Sequence, residues 1–369
     1  VGAVDTLGWV LGHLYGGIVV QFVHWHWLFW INVPLTLLTI ALVLWALRRV
    51  PQQRSPGRFD FLGAALIVAA LTSLNVGLGA NIDIAPTTAS FGDLARLPAY
   101  FGPLMLLAAL FLAAFIFVEA RARDPLVNLK LFRQRSLSAG LLVNLFVGFS
   151  LVIGLVSVPI LVNVRQEDVS TLTQAALQVG LLLSTLTVPM ALAAVPGGWL
   201  AERIGFRATT ALGLGLAVTG YLLLWRTWTL TTPDAVIAAQ MALIGAGLGL
   251  TFSPISASVI NAAPDRERGV ASALVIIVRL IGMTVSVSAL TTISLQRVNA
   301  LAAVELGGLV DPLLAANAYA EITVRVLAEL GLIGAAVCAL ALLPALLLGR
   351  QATPTAGTIE APHASGAGD

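Results

Sequence analysis

Ten apolar stretches, each long enough to cross a bilayer, occupy most of the 369 residues. A backbone inside hydrocarbon must satisfy its N–H and C=O groups internally, and at these lengths only α-helices do so. Hydrophobic residues make up 58% of the chain and charged residues 10%, against roughly 25% charge in a water-soluble domain. The sequence therefore predicts an all-α polytopic membrane bundle. Its spans fall at about 1–23, 28–48, 61–80, 100–120, 136–163, 171–200, 208–226, 236–261, 268–295 and 325–349.

The charges sort by side. If the connections alternate, one side collects Arg48, Arg49, Arg54, Arg58, Arg121, Arg123, Lys130, Arg133, Arg135, Arg203, Arg207, Arg266, Arg268 and Arg350, and the other Arg96, Arg165, Arg226, Arg297 and Arg325. Fourteen against five is the bias that keeps basic loops inside. It predicts a multi-pass protein of the plasma membrane with a cytoplasmic C-terminus. The formal net charge of +2 is too small to attract nucleic acid, and no nucleic-acid partner is expected. The partners expected are the lipid bilayer, a small-molecule substrate and protons. One cysteine, Cys338, forbids an intrachain disulfide, and four His with it make no zinc site. His24 and His26 lack a third ligand nearby and read as interfacial.

The two most basic connections, 49–60 and 121–135, bracket the third and fourth spans. They divide the chain into 1–48 (the last two helices of an N-terminal bundle), 49–135 (two linker helices with basic loops), 136–349 (a six-helix bundle) and 350–369 (a disordered tail). Six helices are one complete half of a transporter plan built from inverted three-helix repeats, and two are not. The chain opens on Val1 in apolar sequence without a signal-peptide pattern. Four further helices, about 100–140 residues, are expected ahead of it.

Gly8, Gly12 and Gly16 are spaced by four and share one helix face, with Gly17 beside them. Small residues at that spacing let two helices approach closely in lipid. Trp25-His26-Trp27-Leu28-Phe29-Trp30-Ile31-Asn32-Val33-Pro34 places aromatic rings at a membrane boundary, with Pro34 near a helix start. Gly198-Trp199-Leu200-Ala201-Glu202-Arg203-Ile204-Gly205-Phe206-Arg207 reads as a tight charged loop between spans, with Glu202 ahead of the next helix N-terminus. It is either a latch on the inner gate or a plain charged loop.

These motifs resemble the major facilitator superfamily, in particular its fourteen-helix drug:proton antiporter family. Gly198-x-Leu200-Ala201-Glu202-Arg203-x-Gly205-x-Arg207 is similar to the superfamily's cytoplasmic gating loop. Gly8-x-x-x-Gly12-His13-Leu14-Tyr15-Gly16-Gly17 is similar to the antiporter motif of the fifth helix. The Trp25–Pro34 stretch resembles the entry to the sixth. Phe59-Asp60-Phe61-x-Gly63 and Asp265-x-x-Arg268-Gly269-x-Ala271-Ser272-Ala273 resemble further family segments. The resemblance covers nearly all residues before the tail. It departs at His13, where the family usually has Pro, and at His26, where it has Arg. It implies a major facilitator fold with about ten of fourteen helices present, and rocker-switch exchange of protons for an exported compound.

Ionisable groups inside spans are costly and are functional candidates by default. Asp5, near the inner end of the first span, is a candidate proton carrier. Arg279, in the middle of the ninth, is expected to face the bundle as half of an ion pair or bound to backbone carbonyls. His13 is mid-span and titrates near neutrality, though a packing role suits it as well. Asn144, Gln174 and Gln178 are candidate cavity residues. No G-x-x-x-x-G-K-[ST], H-E-x-x-H or G-x-S-x-G occurs, so neither a nucleotide cofactor nor an enzyme is expected. The function expected is secondary active, proton-coupled efflux of drug-like or amphipathic compounds. The alternatives are an exporter of one endogenous metabolite or lipid, and a non-transporting sensor or scaffold.

Overall fold

The computed structural model describes residues 8, 11–12, 15–20, 22, 26–48, 60–79, 100–123, 125–165, 172–306 and 311–349. Among these, nine helices are long and apolar enough to cross a membrane. They are α1 (His26–Leu47), α2 (Phe61–Gly79), α3 (Phe101–Glu119), α4 (Arg135–Val164), α5 (Leu172–Ile204), α6 (Phe206–Thr227), α7 (Asp234–Ala262), α8 (Arg268–Glu305) and α9 (Pro312–Ala345). Described residues before α1, including 15–20, are also helical. Asp5, His13 and the 350–369 tail lie outside the described residues.

Local chemistry sets the ends. Pro264 follows the last residues of α7, and the residue before a proline is pushed out of the helical region. Pro312 opens α9, where a missing N–H costs nothing. Gly205, at φ 87°, is the whole connection between α5 and α6, a conformation that glycine adopts without strain. Pro34 was expected near a helix start, but α1 begins at His26 and Pro34 lies two turns inside it. The carbonyl one turn back therefore loses its amide donor.

Helices α4 to α9 form one block with a continuous apolar core from Leu131 to Leu348. Close backbone approach makes it tight. A Cβ on Gly245 or Gly249 of α7 would overlap the carbonyl oxygens of Leu186 and Met190 on α5. Across α4 and α8, a Cβ on Gly148 or Gly282 would strike the Arg279 and Leu145 carbonyls. With little hydrophobic drive between helices in lipid, packing at this range and interhelical hydrogen bonds hold them together. Such bonds are present: Tyr221 Oη donates to the Ser150 carbonyl at 2.5 Å and Ser286 Oγ to the Phe149 carbonyl at 2.7 Å.

The α2–α3 hairpin is tied to this block. Ser288 Oγ on α8 donates to Asn75 Oδ1 at 2.9 Å, and Thr292 Oγ1 donates to the Leu78 carbonyl. At the other end, Glu119 accepts from the amides of Leu126 and Val127, and Asn128 Nδ2 donates to Glu267 Oε1 at 2.8 Å. By contrast, α1 buries none of its residues.

Two helices overrun their sequence bounds. α8 has 38 residues and α9 has 34, or about 57 and 51 Å at 1.5 Å per residue, against about 30 Å of hydrocarbon. At the end away from the Arg-rich connections they continue as a paired hairpin. Val298 and Ala302 pack there on Ile322 and Val326, and Arg297 Nε holds Glu329 Oε2 at 2.9 Å.

Candidate functional site: a glycine seam beside the six-helix block

The helical segment at 15–20 meets the block at α5. A Cβ on Gly17 would lie 3.1 Å from the Ala176 carbonyl oxygen and 3.5 Å from the Gly180 Cα. The spacing predicted close approach through Gly8, Gly12 and Gly16, and the structure places it at Gly17 instead. Nothing among the described residues lies within 4 Å of a Cβ on the other three. The four-residue period fixes a face but not which edge of it meets the neighbour. The partner signal was in the sequence all along, since Ala176 and Gly180 are themselves four apart.

Gly12 and Gly16 instead open onto a cavity of about 400 Å³ beside that contact. Its walls come from the glycine segment, Leu28 of α1, Pro159 and Asn163 of α4, and Val179, Gly180 and Leu183 of α5. Among the described residues, none that lines it is charged. Gly12, Gly16 and Gly17, the start of α1 and the ends of α4 and α5 away from the Arg-rich connections are thus brought together at one seam.

Asn144 and Gln178 do not join them. Asn144 is 1% exposed, and its Nδ2 donates to the Val275 carbonyl, which ties α4 to α8. A buried amide in lipid finds a backbone partner before it finds open space. Gln178 Nε2 donates to Asp234 Oδ2 at 2.7 Å. The same carboxylate pairs with Arg165 at 3.1 Å, and Arg165 also donates to the Thr229 and Thr232 carbonyls. Burial lowers the Arg165 guanidinium below the usual arginine range, and Asp234 opposes that shift. These bonds join the neighbouring ends of α4, α5 and α7 to the α6–α7 connection. The side chain of Gln174 lies outside the described residues.

Arg279 is 9% exposed, with its guanidinium 4.8 Å from the Phe252 ring centroid on α7. The cation–aromatic contact was not foreseen, because nothing in spacing links α7 to α8 at that depth. The gating motif is also differently built. Gly198, Glu202 and Arg203 belong to the last turns of α5, which runs to Ile204, and only Gly205 is outside a helix. Glu202 therefore ends one helix rather than preceding the next. Apolar Trp199, Leu200 and Ile204 let the helix continue through the charges. Arg203 lies over the Trp199 ring at 3.9 Å, and Arg207 Nε donates to the Leu348 carbonyl at 2.5 Å, joining α6 to the end of α9.

The Major Facilitator Superfamily profile matches residues 1–287 and 169–365. The chain belongs to the major facilitator superfamily. Its all-helical architecture is that superfamily's fold. Among curated relatives, it is 33% identical over 309 residues to a triacylglyceride transporter of Mycolicibacterium hassiacum, covering 81% of this chain and 55% of that one. It is 33% identical over 372 residues to a triacylglyceride transporter of Mycolicibacterium smegmatis, covering 94% and 63%. The chain thus spans little more than half the length of these relatives. Among solved structures, an inward-facing, occupied bacterial homologue of the human lysosomal transporter Spinster matches at TM-score 0.45 and 16% identity, covering 76% of this chain and 67% of that one.

Proposed function

We propose that the protein moves lipid-like, strongly apolar molecules across the plasma membrane by alternating access. The observation that carries this reading is the seam cavity, about 400 Å³, whose described lining residues carry no charge. A neutral apolar cargo brings no charge that such a wall would have to pair. Relatives at 33% identity are named triacylglyceride transporters, which supports the lipid branch of the expectation over the drug branch.

The proposal includes four further parts. Residues 1–48 end an N-terminal bundle, 49–135 are linker helices, and 136–349 are the C-terminal bundle of a fourteen-helix protein. The Arg-rich ends face the cytoplasm, by the bias of basic residues. The bundles tilt against each other at the Gly17–Gly180 seam. Protons drive the cycle, as the antiporter-type glycine motif implies, with Asp5 and Arg279 as the candidate charged sites and Gly198–Arg207 as the inner latch. That motif also favours a second reading, proton-coupled efflux of several drug-like compounds.

The test is flux by the full-length protein in liposomes, using a fluorescent triacylglyceride and a panel of unrelated amphipathic drugs. Triacylglyceride flux alone is expected. Flux of several drugs without lipid favours the second reading. No flux from folded protein contradicts both and leaves a sensor or scaffold. A dependence on an imposed pH gradient tests the proton coupling separately.

A further inference from the structure

The connection between α3 and α4 is a pinned strap. Glu119, at the end of α3, accepts from the Leu126 and Val127 amides at 3.1 and 3.2 Å. Asn128 Oδ1 accepts from the Lys130 amide at 3.1 Å, and its Nδ2 donates to Glu267 Oε1 at 2.8 Å. One 3₁₀ helix, Leu129–Arg133, follows. Ser138 Oγ donates to the Phe132 carbonyl at 2.6 Å, and Leu131, 2% exposed, plugs the turn into the six-helix core.

Away from that plug the turn is basic. Side chains three apart on a 3₁₀ helix eclipse one another, so Lys130 and Arg133 share one side of it, and both are exposed. Arg135, exposed at the start of α4, follows them. None of these three is in an ion pair among the described residues. The carboxylates that touch the strap, Glu119 and Glu267, already accept from amides. Phe132, between Lys130 and Arg133, is 41% exposed. The strap leaves the end of one apolar span and enters the next, which sets it at the level of lipid headgroups.

We propose that this strap binds one anionic phospholipid, with Lys130 and Arg133 on the phosphodiester oxygens and Phe132 among the acyl chains. A guanidinium fork matches two phosphate oxygens, and an ammonium adds a point charge beside it. A zwitterionic headgroup brings its own cation to the same place and gains less. A bias of basic residues needs no fixed geometry to orient a chain. Here the geometry is fixed, by hydrogen bonds on one side and a buried leucine on the other. The lipid held there is charged and is separate from the neutral cargo proposed for the seam cavity.

The test titrates the full-length protein, delipidated in detergent, with phosphatidylglycerol or phosphatidylcholine of matched chains, and counts bound lipid by native mass spectrometry. Binding is read without flux, so the transport proposal stands or falls separately. Tighter, saturable binding of phosphatidylglycerol is expected. Lys130→Gln and Arg133→Gln each weaken it by about fivefold, and together by about 25-fold, while phosphatidylcholine is unaffected. Lys130→Arg retains the affinity, and unchanged melting temperatures check the fold. Arg48→Gln removes the same charge from an exposed site beyond α1 and changes nothing. Equal affinity for the two lipids overturns the proposal. So does an equal loss in Arg48→Gln, which would mean a diffuse surface charge. Displacement of the lipid by sn-glycerol 3-phosphate at the same concentration would mean a site for the free phosphate ester and overturns it too.

Discussion

Helices α1 and α4 are both apolar enough to span a membrane, with mean hydropathies of 2.0 and 2.6, yet 0% of the first window is buried and 61% of the second. Hydropathy selects for lipid and does not select for a neighbour. The two helices also differ in their small residues. α4 carries Gly140, Gly148, Gly154, Ser150 and Ser157, and its backbone is pressed against α8. α1 has no glycine and presents Trp27, Phe29, Trp30, Leu38 and Trp45 outward. In lipid, where apolar contact alone gives no advantage, a helix packs where its backbone is accessible.

The sharpest way to break this comparison is to remove that access. Gly245→Val puts two methyl groups into the Leu186 carbonyl and is expected to destabilise the block by about 3 kcal/mol or more. Loss of the monodisperse peak on size-exclusion chromatography checks it. Next comes Asn144→Ala, which removes the α4–α8 side-chain bond. It is expected to cost about 1–2 kcal/mol, read as a lower melting temperature with normal expression.

Ser288→Ala tests whether the α2–α3 hairpin is held as the hydrogen bonds suggest. Losing the bond to Asn75 is expected to cost about 0.6 kcal/mol, visible as faster proteolysis of the 49–60 connection. The smallest effect is expected at Leu38→Ala, on the exposed side of α1, at less than about 0.5 kcal/mol. A loss of about 2 kcal/mol or more in the full-length protein would mean that this face is buried there.

The spans were legible because twenty apolar residues have one explanation, and the bounds of α4, α6 and α7 fall within a few residues of expectation. The overrun of α8 and α9 was not legible. Gln296, Arg297, Asn299, Glu305, Glu321 and Arg325 lower the hydropathy there, but they are tolerated in a helix that stands clear of lipid. Hydropathy reports where the membrane ends, and the helix ends elsewhere. The same limit applied to the gating motif, which was charged enough to read as a loop and is mostly the last turns of α5. At the site, the sequence identified the glycines and left open which of them touches α5. That choice depends on a rotation of a few tens of degrees, which only the packing of α5 determines.

The most direct test of the account is a cross-link at that contact. Gly17→Cys with Gly180→Cys places two thiols on backbones close enough for a disulfide, since a Cβ on Gly17 lies 3.5 Å from the Gly180 Cα. The native Cys338 is buried and does not compete. If the seam opens in each cycle, forming the disulfide in the full-length protein stops flux and a reductant restores it. Undiminished flux with the bond fully formed would contradict the account.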